Sequence, residues 1–174
     1  MTPELTNSQS SAAIDIAAGG EQFLTFMLNG EEYGVDILRV QEIKGWETAT
    51  EIPNMPDYIR GVINLRGTIV PIVDLRRRFS MTGAEYTSTT VIIVLMVRNP
   101  EGATRTMGFV VDAVSDVYSV GVHQIKAAPD FGQSVRAECV RGLATVDEKM
   151  IILLDIDQLI GGDPAFKTES DTTH

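Results

Sequence analysis

Hydrophobic residues along this chain gather in short runs cut by glycine, asparagine and proline. Phe23–Leu28 and Tyr33–Val35 flank Asn29-Gly30, and an Asn-Gly pair between apolar runs is the strongest local signal for a tight β-hairpin. Val91–Val97 and Thr106–Val111 repeat the arrangement around a longer break containing Asn99-Pro100 and Gly102. A further run, Ile69–Val73, follows the turn Arg66-Gly67 and stops at Asp74. Its β-branched content predicts a buried strand, and Gly67 admits backbone angles that a side chain would resist. Asp36–Gly45 is different: it opens on a possible capping aspartate and closes on glycine, with Ile37, Val40 and Ile43 recurring every three residues. That spacing predicts a short helix or turn with one apolar face. Two more short helices are expected over Leu75–Phe79 and Ile156–Ile160, with Asp74 and Asp155 as their N-caps.

The pattern occurs twice. Gly34 precedes Val40 by the same six residues that separate Gly108 from Val114. Arg60-Gly61 precedes the strand ending at Asp74 by the distance that separates Arg141-Gly142 from Asp155. Two related halves follow, about 21–80 and 88–162, whose elements are open to interleaving. Short strands with glycine or proline at the corners and only brief helices predict an all-β fold of small antiparallel barrels. Neither half alone buries much surface, so the two are expected to share an apolar seam, and a seam between barrels is a natural groove for a partner. Residues 1–20 and 163–174 lack a sustained period and read as flexible tails.

Charge and chemistry narrow the function. A net charge of -10 over 174 residues argues against nucleic acid as a partner. The triplet Arg76-Arg77-Arg78 reads as a solvated helix or turn. With Cys139 as the single cysteine, no intrachain disulfide is possible and a reducing compartment is expected. No signal peptide is evident, and the longest apolar run, Val91–Val97, is far too short to span a membrane. His123 and His174 are the only histidines, too few for a zinc site, and no phosphate-cradling glycine loop occurs. Neither metal nor cofactor is expected. The sharpest catalytic idea is a hydrolase whose paired aspartates, Asp74 and Asp155, come from the two halves. Neither aspartate is followed by the tight turn such a dyad needs, so capping is the better reading of both.

The words of the sequence carry a resemblance. Asn64-Leu65-Arg66-Gly67-Thr68-Ile69-Val70-Pro71-Ile72-Val73-Asp74-Leu75 resembles the signature of the CheW-like family of chemotaxis coupling proteins. Tyr33–Ile37 and Val40–Ile43 extend the likeness upstream, as do Gly108–Asp112 and Val114–Val117 downstream, covering about Gln22 to Ile160. The resemblance implies two SH3-like five-stranded barrels around a common core. It implies a noncatalytic cytoplasmic adaptor that couples methyl-accepting chemoreceptors to the histidine kinase CheA, with further copies in array rings as possible neighbours. An adaptor of the same fold serving another chemosensory system, such as surface motility, would keep the same barrels. By position, Val40, Glu42 and Val117 become receptor-groove candidates, although periodicity alone favours core packing for the segment around Val40. Arg66 matches the family's arginine of kinase control and assembly, and its sequence neighbours offer no obvious carboxylate. Gly61, Gly67 and Gly142 read as backbone necessities.

Overall fold

Three two-residue turns set much of the strand pairing. In Asn29-Gly30, Arg66-Gly67 and Asp147-Glu148 both central residues have positive φ, the condition for the primed turn whose twist suits a hairpin. The first joins β1 (Glu21–Leu28) to β2 (Glu31–Asp36), the second β4 (Ile59–Leu65) to β5 (Thr68–Asp74), and the third β10 (Val140–Val146) to β11 (Lys149–Leu154). The remaining strands are β3 (Val40–Gly45), β6 (Val91–Arg98), β7 (Thr104–Val111), β8 (Ala113–Val120) and β9 (Ile125–Lys126). Helix α1 (Leu75–Arg78) follows β5 and α2 (Ile156–Ile160) follows β11. The computed structural model describes residues 20–81, 85–127 and 139–160. Apart from Gly20, both expected tails lie outside them.

The helix or turn expected over Asp36–Gly45 is only half right. A 3-10 turn occupies Ile37–Arg39, and Val40–Gly45 is a strand. The three-residue spacing misled because the conformation changes inside it: Ile37 and Val40 pack against the core, whereas Ile43 is exposed.

The strands form two sheets, ordered β8-β1-β2-β11-β10-β9 and β3-β6-β7-β5-β4. Apart from β9, replacing each strand by its counterpart in the other half converts the first order into the second. The halves are exchanged in doing so: β1–β2 completes the sheet of the second half, and β6–β7 that of the first. Each lent hairpin joins its host by a parallel pairing, β11 with β2 and β5 with β7, while all other pairings are antiparallel.

Both barrels close in the same way. Thr50, just beyond β3, bridges Val62, and β9, just beyond β8, pairs with Leu143 and Ala144. A bulge lies beside each closure, between Ile59 and Gly61 and between Val140 and Gly142. Here the chain needs glycine. A Cβ on Gly61 would lie 2.1 Å from the Thr50 carbonyl oxygen, at φ +134. One on Gly142 would lie 2.8 Å from the Lys126 carbonyl oxygen. Gly67 has open space around it and is required only for its φ of +90.

Three apolar clusters result among the described residues. Phe23, Val120, Ala144, Ile151 and Leu153 fill one barrel; Ile63, Val70, Ile72, Ile92, Val94 and Val110 fill the other. Between them lies the largest, which takes Leu24, Phe26, Leu28 and Val35 from one sheet and Val73, Ile93, Leu95, Val97 and Phe109 from the other. Strand β6 therefore buries both faces, Ile92 and Val94 inward and Ile93, Leu95 and Val97 across the seam. That double burial explains the unbroken apolar run.

The basic triplet is not the solvated stretch expected. Arg76 is buried, with Nε and a terminal nitrogen donating to Asp74 at 3.1 and 3.2 Å and another to Asp112 at 2.9 Å and the Glu85 carbonyl at 2.7 Å. Tyr86 also donates to Asp74, at 3.0 Å. Fixed acceptors and good geometry let a guanidinium stay charged inside a protein.

The two glycines test the closures. Gly61→Ala should fail to fold or lose more than about 3 kcal/mol, since a backbone carbonyl cannot give way. Gly142→Ala, which meets its carbonyl less closely, should cost about 1–2 kcal/mol. Urea denaturation of both variants checks the order, and equal losses would contradict it.

Candidate functional site

The chain crosses from one sheet to the other through the turn Ile37–Arg39, and this crossing places an exposed apolar side chain between two clefts. Asp36 caps the turn, its carboxylate accepting from the Leu38 N–H at 3.0 Å, and the Val40 N–H returns to the Ile37 carbonyl. Leu38 is left 87% exposed, and with Ile37 it borders a surface cleft. Beside it lies a cleft lined by Gly20, Glu21, Gln22, Asp36, Ile37 and Leu38. A second, polar cleft sharing Asp36 is lined by Arg39, Arg141 and the segment Leu154–Asp157.

Arg39 holds the turn. Its two terminal nitrogens bind both oxygens of Asp157 at 2.9 and 2.7 Å, and one also donates to the Met96 carbonyl at 3.0 Å. Asp157 in turn accepts from the Arg98 N–H at 2.8 Å. Burial pushes the Asp157 carboxyl upward. The Arg39 fork, the Arg98 N–H and both positive charges outweigh it, leaving the group below the usual carboxylate range. Arg141, at the other side of the polar cleft, pairs with Glu21 and lies over the Phe23 ring at 5.5 Å.

Two of the sequence candidates meet. Arg66 has a carboxylate partner that its neighbours in sequence did not reveal: Glu42, on β3, at 2.5 Å. Arg66 stands at φ +50 at the tip of its hairpin, and Asn64 steadies the tip by accepting from the Gly67 N–H at 2.8 Å. The hydrogen bond from Arg66 holds Glu42 below the usual carboxylate range. At the equivalent positions of the other barrel stand Asp147 and Asp116, so the two barrel tips share a shape and differ in charge.

The groove candidates do not occupy equivalent places. Val40 pairs with Leu95 on the edge strand β3 and packs partly against the shared core. Val117 pairs with Leu24 on the edge strand β8 of the other sheet and is exposed. Counted from Gly34 and Gly108, the counterpart of Val117 is Ile43, also exposed, and the counterpart of Val40 is Val114, also packed against the core. Sequence reasoning missed Leu38, Arg39 and Asp157. Leu38 carried a signal in its place between a capping aspartate and an arginine; the pairing of Arg39 with Asp157 spans 118 residues and carried none.

Asp74 and Asp155 serve as backbone anchors. Asp74 accepts from the Arg76 N–H at 3.0 Å and Asp155 from the Gln158 N–H at 3.2 Å. Their own N–H groups donate to the carbonyls of Tyr58 and Cys139, both at 2.8 Å. Among the described residues no group of three or more His, Cys, Asp or Glu is arranged to hold a metal, and no helix is long and apolar enough to cross a membrane.

Comparison with known proteins decides the family. The CheW-like domain model matches residues 22–163. A chemotaxis protein CheW from Klebsiella aerogenes is 48% identical over 83% of this chain and 84% of its own length. The one from Rhizobium meliloti is 38% identical over 86% and 94%. This chain belongs to the CheW-like family. The crystal structure of the scaffolding protein TtCheW from Thermoanaerobacter tengcongensis superimposes with a TM-score of 0.74 at 30% identity, covering 85% of this chain and 97% of that one.

The fold is accordingly the pair of SH3-like subdomains around a shared core that the resemblance implied. The function is that of a noncatalytic chemotaxis scaffold. Membership of this family removes the aspartate-dyad hydrolase, and the bonds of Asp74 to Arg76 and Tyr86 agree with its removal.

Because folding lowers the Asp157 pKa, its ionised form stabilises the fold above the unfolded value, near 3.9 for an aspartate. That contribution is lost as pH falls through the folded value. The stability advantage of wild type over Asp157→Asn should be constant from about pH 8 to 5 and shrink below about pH 4. Urea midpoints measured across that range give the comparison; an advantage that grew in acid would reverse the sign.

Proposed function

We propose that this CheW-like chain works in the cytoplasm as the adaptor between methyl-accepting chemoreceptors and the histidine kinase CheA. The observation that carries the receptor half of this reading is Leu38, exposed on a pinned turn between the two sheets and beside an apolar cleft. An amphipathic coiled-coil tip needs such an apolar foothold bordered by polar groups. Ile37 lies in the same cleft, and Val117 adds apolar surface on the edge strand of the neighbouring sheet. Val40, two residues beyond Leu38, packs in part against the shared core and supports this surface without lining the cleft.

The barrel tips suit the kinase half. Ile69 and Met150 occupy equivalent positions on β5 and β11 and both are exposed, next to Arg66 on one barrel and Asp147 on the other. We assign these ends to the related barrels of the kinase's regulatory domain and to further copies of the chain in rings. Arg66, whose fork can bind a carboxylate in ways lysine cannot, would then exchange Glu42 for an acceptor across the interface, which links it to kinase control. The chemistry is binding alone, with no cofactor.

Substitutions separate the two surfaces. Leu38→Asp and Val117→Asp should each weaken receptor binding more than tenfold, because a charge desolvated at an apolar contact costs several kcal/mol. Their circular dichroism spectra should be unchanged. Val40→Asp, which drives a charge toward the shared core, should lower the unfolding temperature as well. Arg66→Ala should leave thermal unfolding unchanged yet impair receptor-dependent kinase control in reconstituted receptor membranes, with Arg66→Lys recovering only part. Wild-type kinase control by Arg66→Ala would reduce this arginine to a surface charge.

A further inference from the structure

We infer that Arg39 and Asp157 are positioning residues for receptor docking, an electrostatic strap that holds the Leu38 turn in its binding geometry. The inference rests on the docking reading above and adds residues that the reading does not contain. The turn Ile37–Arg39 has no fully buried residue; Ile37 packs in part against the core, and that partial packing leaves Leu38 87% exposed. Its position depends on hydrogen bonds: the Asp36 cap from within, and the Arg39 fork from without. The fork reaches Asp157 on α2, which follows β11 of one sheet, and the Met96 carbonyl on β6 of the other. Asp157 is itself fixed by the Arg98 N–H. One guanidinium thereby ties the docking turn to elements of both barrels.

The repeat supplies an internal comparison. Asp157 stands two residues after Asp155, as Arg76 stands two residues after Asp74. On the Arg76 side the tie runs through Asp112, whose other oxygen accepts from the Asn29 N–H at the tip of β1–β2 at 2.8 Å. Asp157 makes the matching tie to Arg98, at the end of β6. Each clamp secures a lent hairpin to the helix of the half that lent it. They differ in burial: the Arg76 side chain is 4% exposed, whereas Arg39 and Asp157 are 29% and 28% exposed. The first is a fixed rivet of the fold. The second lies at the surface beside the docking turn, where its loss would loosen Leu38 without opening the core.

The test uses the full chain with Arg39→Met, which keeps most of the stem, and Asp157→Asn, which keeps an acceptor for the Arg98 N–H. Affinities are measured by calorimetry for a chemoreceptor cytoplasmic-tip fragment and, separately, for the kinase regulatory domain. Each single variant should weaken receptor binding about three- to fivefold, and the double variant no more than either alone, the non-additivity of residues acting as one unit. Kinase-domain affinity should stay within about twofold, and Arg39→Lys should recover part of the receptor loss through its charge. A merely structural role would lower both affinities together and overturn the assignment. So would multiplying losses in the double variant, which would make Arg39 a contact independent of Asp157. Leu38→Asp is the reference. If it abolishes receptor binding while both strap variants bind normally, the strap fails and the docking reading stands. If Leu38→Asp binds normally, the docking reading fails and the strap falls with it.

Discussion

The exchange of hairpins between the two halves is the constraint on which the rest of this structure depends. A β-hairpin is marginal alone in water, and here each half lends its first hairpin to the other's sheet. Strands β1 and β6 consequently lie inside a sheet while contributing one face to their barrel and the other to the shared core. Removing either hairpin would expose the interior of its host barrel and the seam together. The two SH3-like subdomains are thus one cooperative body, and the seam is a core rather than an interface of the kind that lets domains move by default.

One backbone plan then carries two sets of charges. At the helix that follows each parallel-paired strand, Arg76 occupies one half and Asp157 the other. The buried arginine is fully engaged by Asp74, Asp112 and a carbonyl, and removing one partner would strand a charge at a cost of about 3–5 kcal/mol. The half-exposed pair of Arg39 and Asp157 is bidentate but open to water, where an ion pair of this kind contributes on the order of 1 kcal/mol or less. A strong tie and a weak one at related positions give the molecule a fixed side and an adjustable side, and the turn proposed for docking is on the latter.

Local chemistry was legible in the sequence, and long-range pairing was not. Asn29-Gly30, the β-branched run before Asp74 and the repeated spacing to Asp155 each act over a few residues, and each led to the right element. Asp147-Glu148 forms the same primed turn as Asn29-Gly30 without glycine or asparagine to announce it. Asp36–Gly45 was read correctly only as far as its cap and turn, because a cap, a 3-10 turn and a strand share ten residues and their apolar positions fall into a helical spacing by superposition. Arg76 looked solvated because its partners Asp112 and Glu85 arrive from other elements. For the same reason Arg66 lacked a visible carboxylate and Arg39 attracted no notice. The exchange itself cannot be read from one half, since the register of β1 against β2 is the same whichever barrel receives them.

A coupling protein has no transition state to stabilise, so its specificity lies in how surfaces of one rigid body differ. The pseudo-symmetry works against that difference, because it presents two barrel tips of the same hairpin geometry. Partners can distinguish the ends only through side chains at equivalent positions: Arg66 with Glu42 on one, Asp147 with Asp116 on the other. Like-charge juxtaposition disfavours the wrong pairing as strongly as attraction favours the right one. The crossover turn escapes the problem altogether. Ala113, not an arginine, stands at the position equivalent to Arg39, and β7 passes into β8 through Asp112 alone, with no 3-10 turn. An exposed leucine on a strapped turn therefore exists on one side only, and that asymmetry lets a symmetric fold offer a single place of its kind.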